Sequence, residues 1–459
     1  MKAINRDILK LAVPSILANI TVPIVGMVDI AVAGHLDTNA ATMIGGIAIG
    51  SMLFDLLYWN FGFLRVGTGG LAAQAFGRGD RPECTRVLAR ALGIALSCAL
   101  LLIAVQWFFV KAAFVFVDCT PEVQELASQY FFIRIWAAPA TLSLMALKGW
   151  FIGMQDSVSA MTTDIMVNGM NFLMSIVLAL GFSIGGWHYA GMGFAGVAAG
   201  TVVAQYSGLL TAVILLLARY RRSTLQTLGS GGLKDIFKGE QMRRFMSMNV
   251  DLFIRSLCFI AIYIGFTVIS ARYGDTLLAV SSILMKLLMI FSYFTDGFAY
   301  AGEALTGRFI GAKDRTMLRE AIKWTFIWSM SIALIFIGIY HFAGVPMLHL
   351  MTSDAAVVEA SQEYLPWLLL MPVVGCAAFT WDGIYIGATA SRQMRDSMLW
   401  AVVGFALVWF VGIIMLQQAA PTSERYGNLA MHILMAAYFA HLLARTVYLS
   451  LKYRKLDLF

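Results

Sequence analysis

The sequence predicts an all-α integral membrane protein of about twelve transmembrane helices in two pseudo-symmetric six-helix lobes. Three observations lead there. Of 459 residues, 60% are apolar and only 13% are charged, with a mean hydropathy of +0.77, whereas a soluble chain carries roughly 25% charged residues. The apolar residues fall into runs long enough to cross a bilayer. The chain also repeats a set of motifs at a constant offset.

Taking roughly 20 apolar residues as one crossing, the spans are expected near 8–34, 42–66, 88–110, 122–147, 158–182, 191–218, 245–270, 277–303, 322–344, 357–385, 397–418 and 428–450. The first run, from Ile8 to Gly34, exceeds the h-region of a cleavable signal peptide and reads as a span. Basic residues gather in every second link: Arg78, Arg81, Arg86 and Arg90, then Arg219, Arg221, Arg222, Lys234, Lys238, Arg243 and Arg244, then Arg308, Lys313, Arg315, Arg319 and Lys323. The intervening links hold little beyond Lys111, Arg272 and Arg425. Positive charge stays on the cytoplasmic side. This puts the basic links there, with both termini, marked by Lys2 and Arg6 and by Lys452, Arg454 and Lys455. The net charge of +7 is thereby accounted for by topology rather than by nucleic acid.

Gly149 and Gly153 frame Trp-Phe-Ile, and Gly383 and Gly387 frame Ile-Tyr-Ile, at an offset of 234 (383 − 149). The same offset carries Gly77, Asp80 and Arg81 onto Gly311, Asp314 and Arg315, and Tyr130 onto Tyr364. Six spans per half give both halves the same orientation, as in parallel repeats of alternating-access carriers. The expected division is an N-terminal lobe over 1–218, a cytoplasmic linker over 219–244 containing Gly229 to Gly232, and a C-terminal lobe over 245–459.

An ionisable group inside a span costs about 2.5–3.5 kcal/mol or more and so marks a candidate site. Asp29 is the only ionisable residue between Lys10 and His35; it suits proton uptake and release, or it merely reaches water near the outer end. Pro14 and Pro23 in the same span remove backbone donors, which makes either a hinge or a static bend. Asp164, Asn168, Asn171 and Ser175 recur at spacings that put them on one face of span five. Such a stripe is an ion pathway or interhelical glue. In the second half, Asp251 and Arg255 stand one turn apart and can pair, Lys286 lies in span eight, and Asp382 lies in span ten. Tyr293, Asp296, Tyr300 and Glu303 form a further stripe in span eight. These groups make a cleft for cations through charge and cation-π attraction, or they neutralise one another. The 26 Met and 31 Phe suit promiscuous apolar binding and equally suit lipid contact.

No HExxH, GxxxxGK[ST] or GxSxG motif is present, which argues against an enzyme or an ATP-driven pump. The five cysteines have no CxxC spacing and the histidines are dispersed, so neither a disulfide framework, a metal nor a cofactor is expected.

Four segments together resemble the multidrug and toxic compound extrusion (MATE) family, in its DinF-like branch: Val28 to His35, Thr68 to Gly77, Asp296 to Glu303 and Asp382 to Ala388. The resemblance runs along nearly the whole chain. It implies a V-shaped pair of six-helix lobes and antiport of amphipathic or cationic drug-like molecules against protons or sodium. The expected setting is the lipid of a bacterial-type inner membrane, and the expected carrier is a monomer. It further implies that Asp29 is the coupling carboxylate, Pro14 the proline at which helix one bends, and Asn168 and Asn171 the polar partners in helix five. Two departures stand out: Ser175 where many relatives carry an aspartate, and Arg255 where the NorM-like branch has a glutamate. A cation beside Arg255 is electrostatically unfavourable, which favours protons over sodium. A flippase for a lipid-linked precursor is the nearest rival function.

Overall fold

The computed structural model describes residues 2–34, 40–117, 119–184, 187–229, 236–237, 239–352, 354–419 and 425–453. Ser230 to Lys234, Lys238, Arg454, Lys455 and His35, all used above, lie outside the described residues, as do the side chains of Lys2 and Arg222.

The helices run α1 Lys2–Gly34, α2 Ala40–Trp59, α3 Phe63–Gly77, α4 Arg81–Phe116, α5 Pro121–Arg134, α6 Ala138–Gly153, α7 Ser157–Leu180 and α8 Phe194–Gly229 in the first half. They continue as α9 Glu240–Ala271, α10 Asp275–Gly311, α11 Arg315–Met351, α12 Ala355–Gln362, α13 Leu365–Gly387, α14 Ser391–Ala419 and α15 Tyr426–Tyr453. Single 3-10 turns join α2 to α3 and α5 to α6 without leaving the helical course. Among the described residues, 11 segments are long and apolar enough to cross a membrane. They coincide with the second to twelfth expected spans, and α1 occupies the first.

Two features depart from the expected spans. A two-stranded antiparallel hairpin, β1 Phe182–Ile184 and β2 Trp187–Tyr189, lies in the link after α7. The tenth span is broken between α12 and α13, where Leu365-Pro366 starts a new helix. Proline has no N–H to continue the preceding ladder, so the first turn of a helix is where it fits.

The internal repeat extends to packing. A Cβ on Gly149 would meet the Arg65 carbonyl oxygen at 2.1 Å, and one on Gly383 would meet that of Ala299 at 2.0 Å. The two contacts are related by the same offset, so in each half the backbone of one helix touches its neighbour where only glycine fits. Likewise Asp80 caps α4 by accepting from the Glu83 N–H at 3.0 Å, and Asp314 caps α11 by accepting from Met317 N–H at 2.9 Å. Gln155 and Thr389, also 234 apart, both take positive φ, at 63° and 53°.

The chain divides into two compact units, Leu17–Met246 and a second formed by Met1–Ile16 with Ser247–Phe459. The expected lobe over 1–218 therefore differs at its start. The first turns of α1 belong with the second half, where a Cβ on Gly297 would lie 2.4 Å from the Ile16 side chain and Trp328 donates to Asn5 at 3.1 Å. Much of the expected linker is helical, because α8 runs to Gly229 and α9 begins at Glu240. Arg90, 3% exposed, holds this segment to the first unit. It donates to the Ile236 carbonyl, to Gln241 and to Glu83, each at 2.8 Å.

Candidate functional site

In the first unit, α1 and α7 bring Asp29, Asn171 and Ser175 together. All three are buried, with Asp29 6% exposed and Ser175 fully covered. Ser175 Oγ lies 2.9 Å from Asp29 Oδ1 and 2.8 Å from Asn171 Oδ1. One turn nearer the start of α7, Asn168 donates to Thr21 Oγ1 on α1, and Thr21 in turn donates to the Ala18 carbonyl at 2.7 Å. The polar stripe of α7 is thus in contact with α1 at two levels. Asp164, at the other end of the stripe, is drawn into an ion pair with Lys148 of α6.

A serine hydroxyl has one proton to give. With Asp29 ionised, that proton is best placed on the carboxylate, a charge-assisted bond. With Asp29 protonated, the carboxyl can donate to Ser175 Oγ, and the hydroxyl is then free to donate to Asn171 Oδ1. The triad therefore has two hydrogen-bond arrangements selected by one proton. Ser175→Ala removes the relay. On the proton coupling expected from the sequence, the loss of a hydrogen bond to a charged group should slow pH-driven exchange about tenfold, measured as initial efflux rate from proteoliposomes.

Ser175 is held in register by close packing of α7 on α8. A Cβ on Gly200 would lie 2.6 Å from the Ser175 backbone nitrogen. Gly200→Val forces the helices apart and should destabilise the unit by roughly 1–3 kcal/mol, seen as an earlier midpoint in SDS-induced unfolding.

Pro14 sits within continuous α1, two residues before the boundary between units at Ile16 and Leu17. It cannot donate to the Lys10 carbonyl. Ser15 instead turns its hydroxyl back to the Leu11 carbonyl at 2.9 Å, a bond that bends helices. Arg134 closes α5. It donates to Tyr130 Oη at 3.0 Å and lies 4.8 Å over the Phe54 ring.

The second unit has a different pattern. Asp251 and Arg255 do not pair with each other. Asp251 accepts from Arg395 at 2.7 Å and from Ser391 at 2.9 Å, both on the first turns of α14. Arg255 donates to Asp382 Oδ2 at 2.6 Å, and Arg445 of α15 donates to the same oxygen. Asp382 is thus held by two arginines. Lys286 is exposed and takes no part in this cluster. Tyr293, Asp296 and Tyr300 are half-buried on α10 and Glu303 is fully buried.

The partners Lys148, Arg134, Arg395 and Arg445 escaped the sequence reading. The signal for Arg134 and Arg445 was present, since each is a lone cation in an apolar run.

Two long, repeated helical halves of this kind define a multi-pass membrane carrier, and comparison with known proteins agrees. The MatE family model matches residues 14–179 and 252–415, once in each half. DNA damage-inducible protein F of Escherichia coli (strain K12) is 35% identical over 405 residues, covering 88% of this chain and 85% of that protein. Probable multidrug resistance protein NorM of Photorhabdus laumondii subsp. laumondii is 22% identical over 417 residues, 89% of this chain and 86% of that protein. Among solved structures, the outward-facing form of a multidrug resistance MATE family transporter matches with a TM-score of 0.83 at 14% identity, covering 99% of this chain and 97% of that one. MATE in its bent conformation matches at 0.81 and 13% identity, covering 98% and 96%. At those identities the structural likeness shows the fold alone.

The chain belongs to the MATE family of multidrug and toxic compound efflux transporters. It is a transporter and not an enzyme.

Proposed function

We propose that this chain is a proton-coupled antiporter of a bacterial inner membrane, with both termini cytoplasmic, which exports amphipathic drug-like compounds. Asp29 carries the proton. The observation that carries this reading is the buried triad of Asp29, Ser175 and Asn171, whose hydrogen bonds have one arrangement for each protonation state. Protonation of Asp29 from outside switches the triad, α1 rearranges near Pro14, and bound cargo is released. Return to the inward state follows loss of the proton to the cytoplasm. A ligand shifts such an equilibrium only through differential affinity for the two states, and the α1–α7 contacts supply the place where that difference arises.

A sodium-coupled reading draws on the same groups, because Asp29, Ser175 and Asn171 present three oxygens to one another. Efflux from proteoliposomes separates the two. Two amphipathic fluorescent dyes, one cationic and one anionic, are loaded and either a pH gradient or a sodium gradient is imposed. Efflux of either dye with the pH gradient alone is the expected result. Efflux that follows sodium alone overturns the proton assignment, and efflux under neither gradient points to the lipid-linked precursor instead.

A further inference from the structure

We propose a second binding site, in the unit formed by Ser247–Phe459 and the start of α1, that takes the carboxylate of an amphipathic organic acid. Its groups are Arg255 on α9, Arg445 and His441 on α15, and Asp382 on α13. The proposal rests on the export reading only in treating the bound acid as cargo.

Both guanidinium groups spend a single nitrogen, Nη2, on one oxygen of Asp382. Among the described residues, the remaining buried atoms have no hydrogen-bond partner: Arg255 Nε, Arg445 Nε and Nη1, Asp382 Oδ1 and His441 Nε2. Arg445 and His441 are each 1% exposed. Two arginines against one carboxylate leave one positive charge, and a buried charge without a counter-charge is costly. The unused donors outnumber the unused acceptors on the same groups. His441 donates Nδ1–H to the Tyr438 carbonyl, which leaves Nε2 as an acceptor in the neutral ring and adds no counter-charge. The chemistry that completes such a set is an anion with two oxygens, because a guanidinium fork matches carboxylate geometry.

The cluster is not sealed. Side chains of Arg255 and Asp382 are 20% and 14% exposed, so an anion reaches Arg255, while buried Arg445 adds its charge through the Asp382 oxygen they share. From Arg255 an aromatic row leads along α9. Phe259 and Tyr263 follow Arg255 at i+4 and i+8 and share its face, both partly buried against the core of this unit. Phe266 and Tyr438, 1% and 6% exposed, belong to the packed core against which that row lies, meeting edge-to-face at 5.5 Å, and Tyr438 meets the His441 ring at 4.6 Å. A charged end on the arginines and an apolar body on the aromatics describe an amphipathic acid. The pseudo-equivalent of Asp382 in the first unit, 234 residues earlier, is Lys148, paired with Asp164 as one cation to one acid. The excess of positive charge therefore belongs to the second unit's cluster and is not imposed by the repeat.

The test is binding to the full chain in neutral maltoside detergent, with dodecanoate as the acid and dodecyltrimethylammonium as a cation of equal chain length, read by isothermal titration. Dodecanoate should bind, and Arg255→Gln should weaken it about tenfold, as for loss of one charge-assisted hydrogen bond. Arg255→Lys should retain part of that affinity. The cation should respond to neither variant. A thermal unfolding midpoint for each variant shows that the fold is kept. Equal effects of Arg255→Gln on acid and cation, or no binding of dodecanoate, overturn the proposal. Displacement of dodecanoate by phosphatidylglycerol at equimolar ratio, with no dodecanoate efflux from proteoliposomes, assigns the site to a lipid headgroup and overturns the cargo. Since no gradient is needed for binding, failure of the proton-coupled reading leaves this result intact.

Discussion

Asp29→Asn should abolish pH-driven efflux, bringing the rate down to that of protein-free liposomes, with the protein still folded and still able to bind its cargo. Asparagine keeps the size of the carboxyl group and can still pair with Ser175, so packing between α1 and α7 is retained. It cannot take up or release a proton between one side of the membrane and the other. The relay that depends on that proton is then frozen in one of its two arrangements. Counterflow of labelled cargo without any gradient is the discriminating control. Exchange that survives in Asp29→Asn while net pH-driven efflux is lost assigns Asp29 to coupling; full pH-driven efflux in the variant removes Asp29 from the mechanism. The expected loss exceeds the roughly tenfold effect of Ser175→Ala, because in the proposed mechanism the serine tunes the proton's environment and the aspartate carries it.

The spans were legible because hydropathy acts on each segment separately, and a helix in lipid satisfies its own backbone wherever its neighbours are. The repeat was legible for a related reason. Gly149 and Gly383 stand where a neighbouring carbonyl oxygen leaves no room for a Cβ, and that requirement is written at a fixed place in each half. The hairpin at Phe182–Tyr189 was hidden, since three-residue strands are too short for a periodic signal. The break at Leu365-Pro366 was hidden inside a run apolar enough to read as one span.

The site was legible in half. Expensive residues announce themselves in an apolar segment, so Asp29, Asp251, Arg255 and Asp382 could be picked out one at a time. Their partners could not, because partnership is decided by which helices pack. Asp251 and Arg255 meet the spacing for a local pair, yet each has a better distant one. Asp251, whose side chain is 8% exposed, is satisfied by the Ser391 hydroxyl and Arg395 of α14, and Asp382, 14% exposed, takes both Arg255 and Arg445. The acids of the second unit looked free for a cation only while Arg395 and Arg445 were out of view.

The strongest stability effect follows from that arrangement. Asp382→Ala removes the one carboxylate shared by Arg255 and Arg445 and leaves two guanidinium groups close together, one of them 1% exposed. Breaking a buried pair by deleting one partner costs about 3–5 kcal/mol, mostly for the uncompensated charge left behind. The unfolding free energy of Asp382→Ala, read from SDS titration, should fall by that amount, the largest drop among these substitutions. Arg445→Met in the same background removes one of the stranded charges and fills its volume, so the double variant should recover a substantial part of the loss. Additive losses instead would mean that the two residues do not interact energetically, and the short contact between them would then be packing rather than an ion pair. Recovery in the double variant, together with weakened dodecanoate binding in Arg255→Gln, would show one cluster acting in two ways: Asp382 neutralises enough of the arginine charge for the unit to fold, and what it leaves over draws an anion.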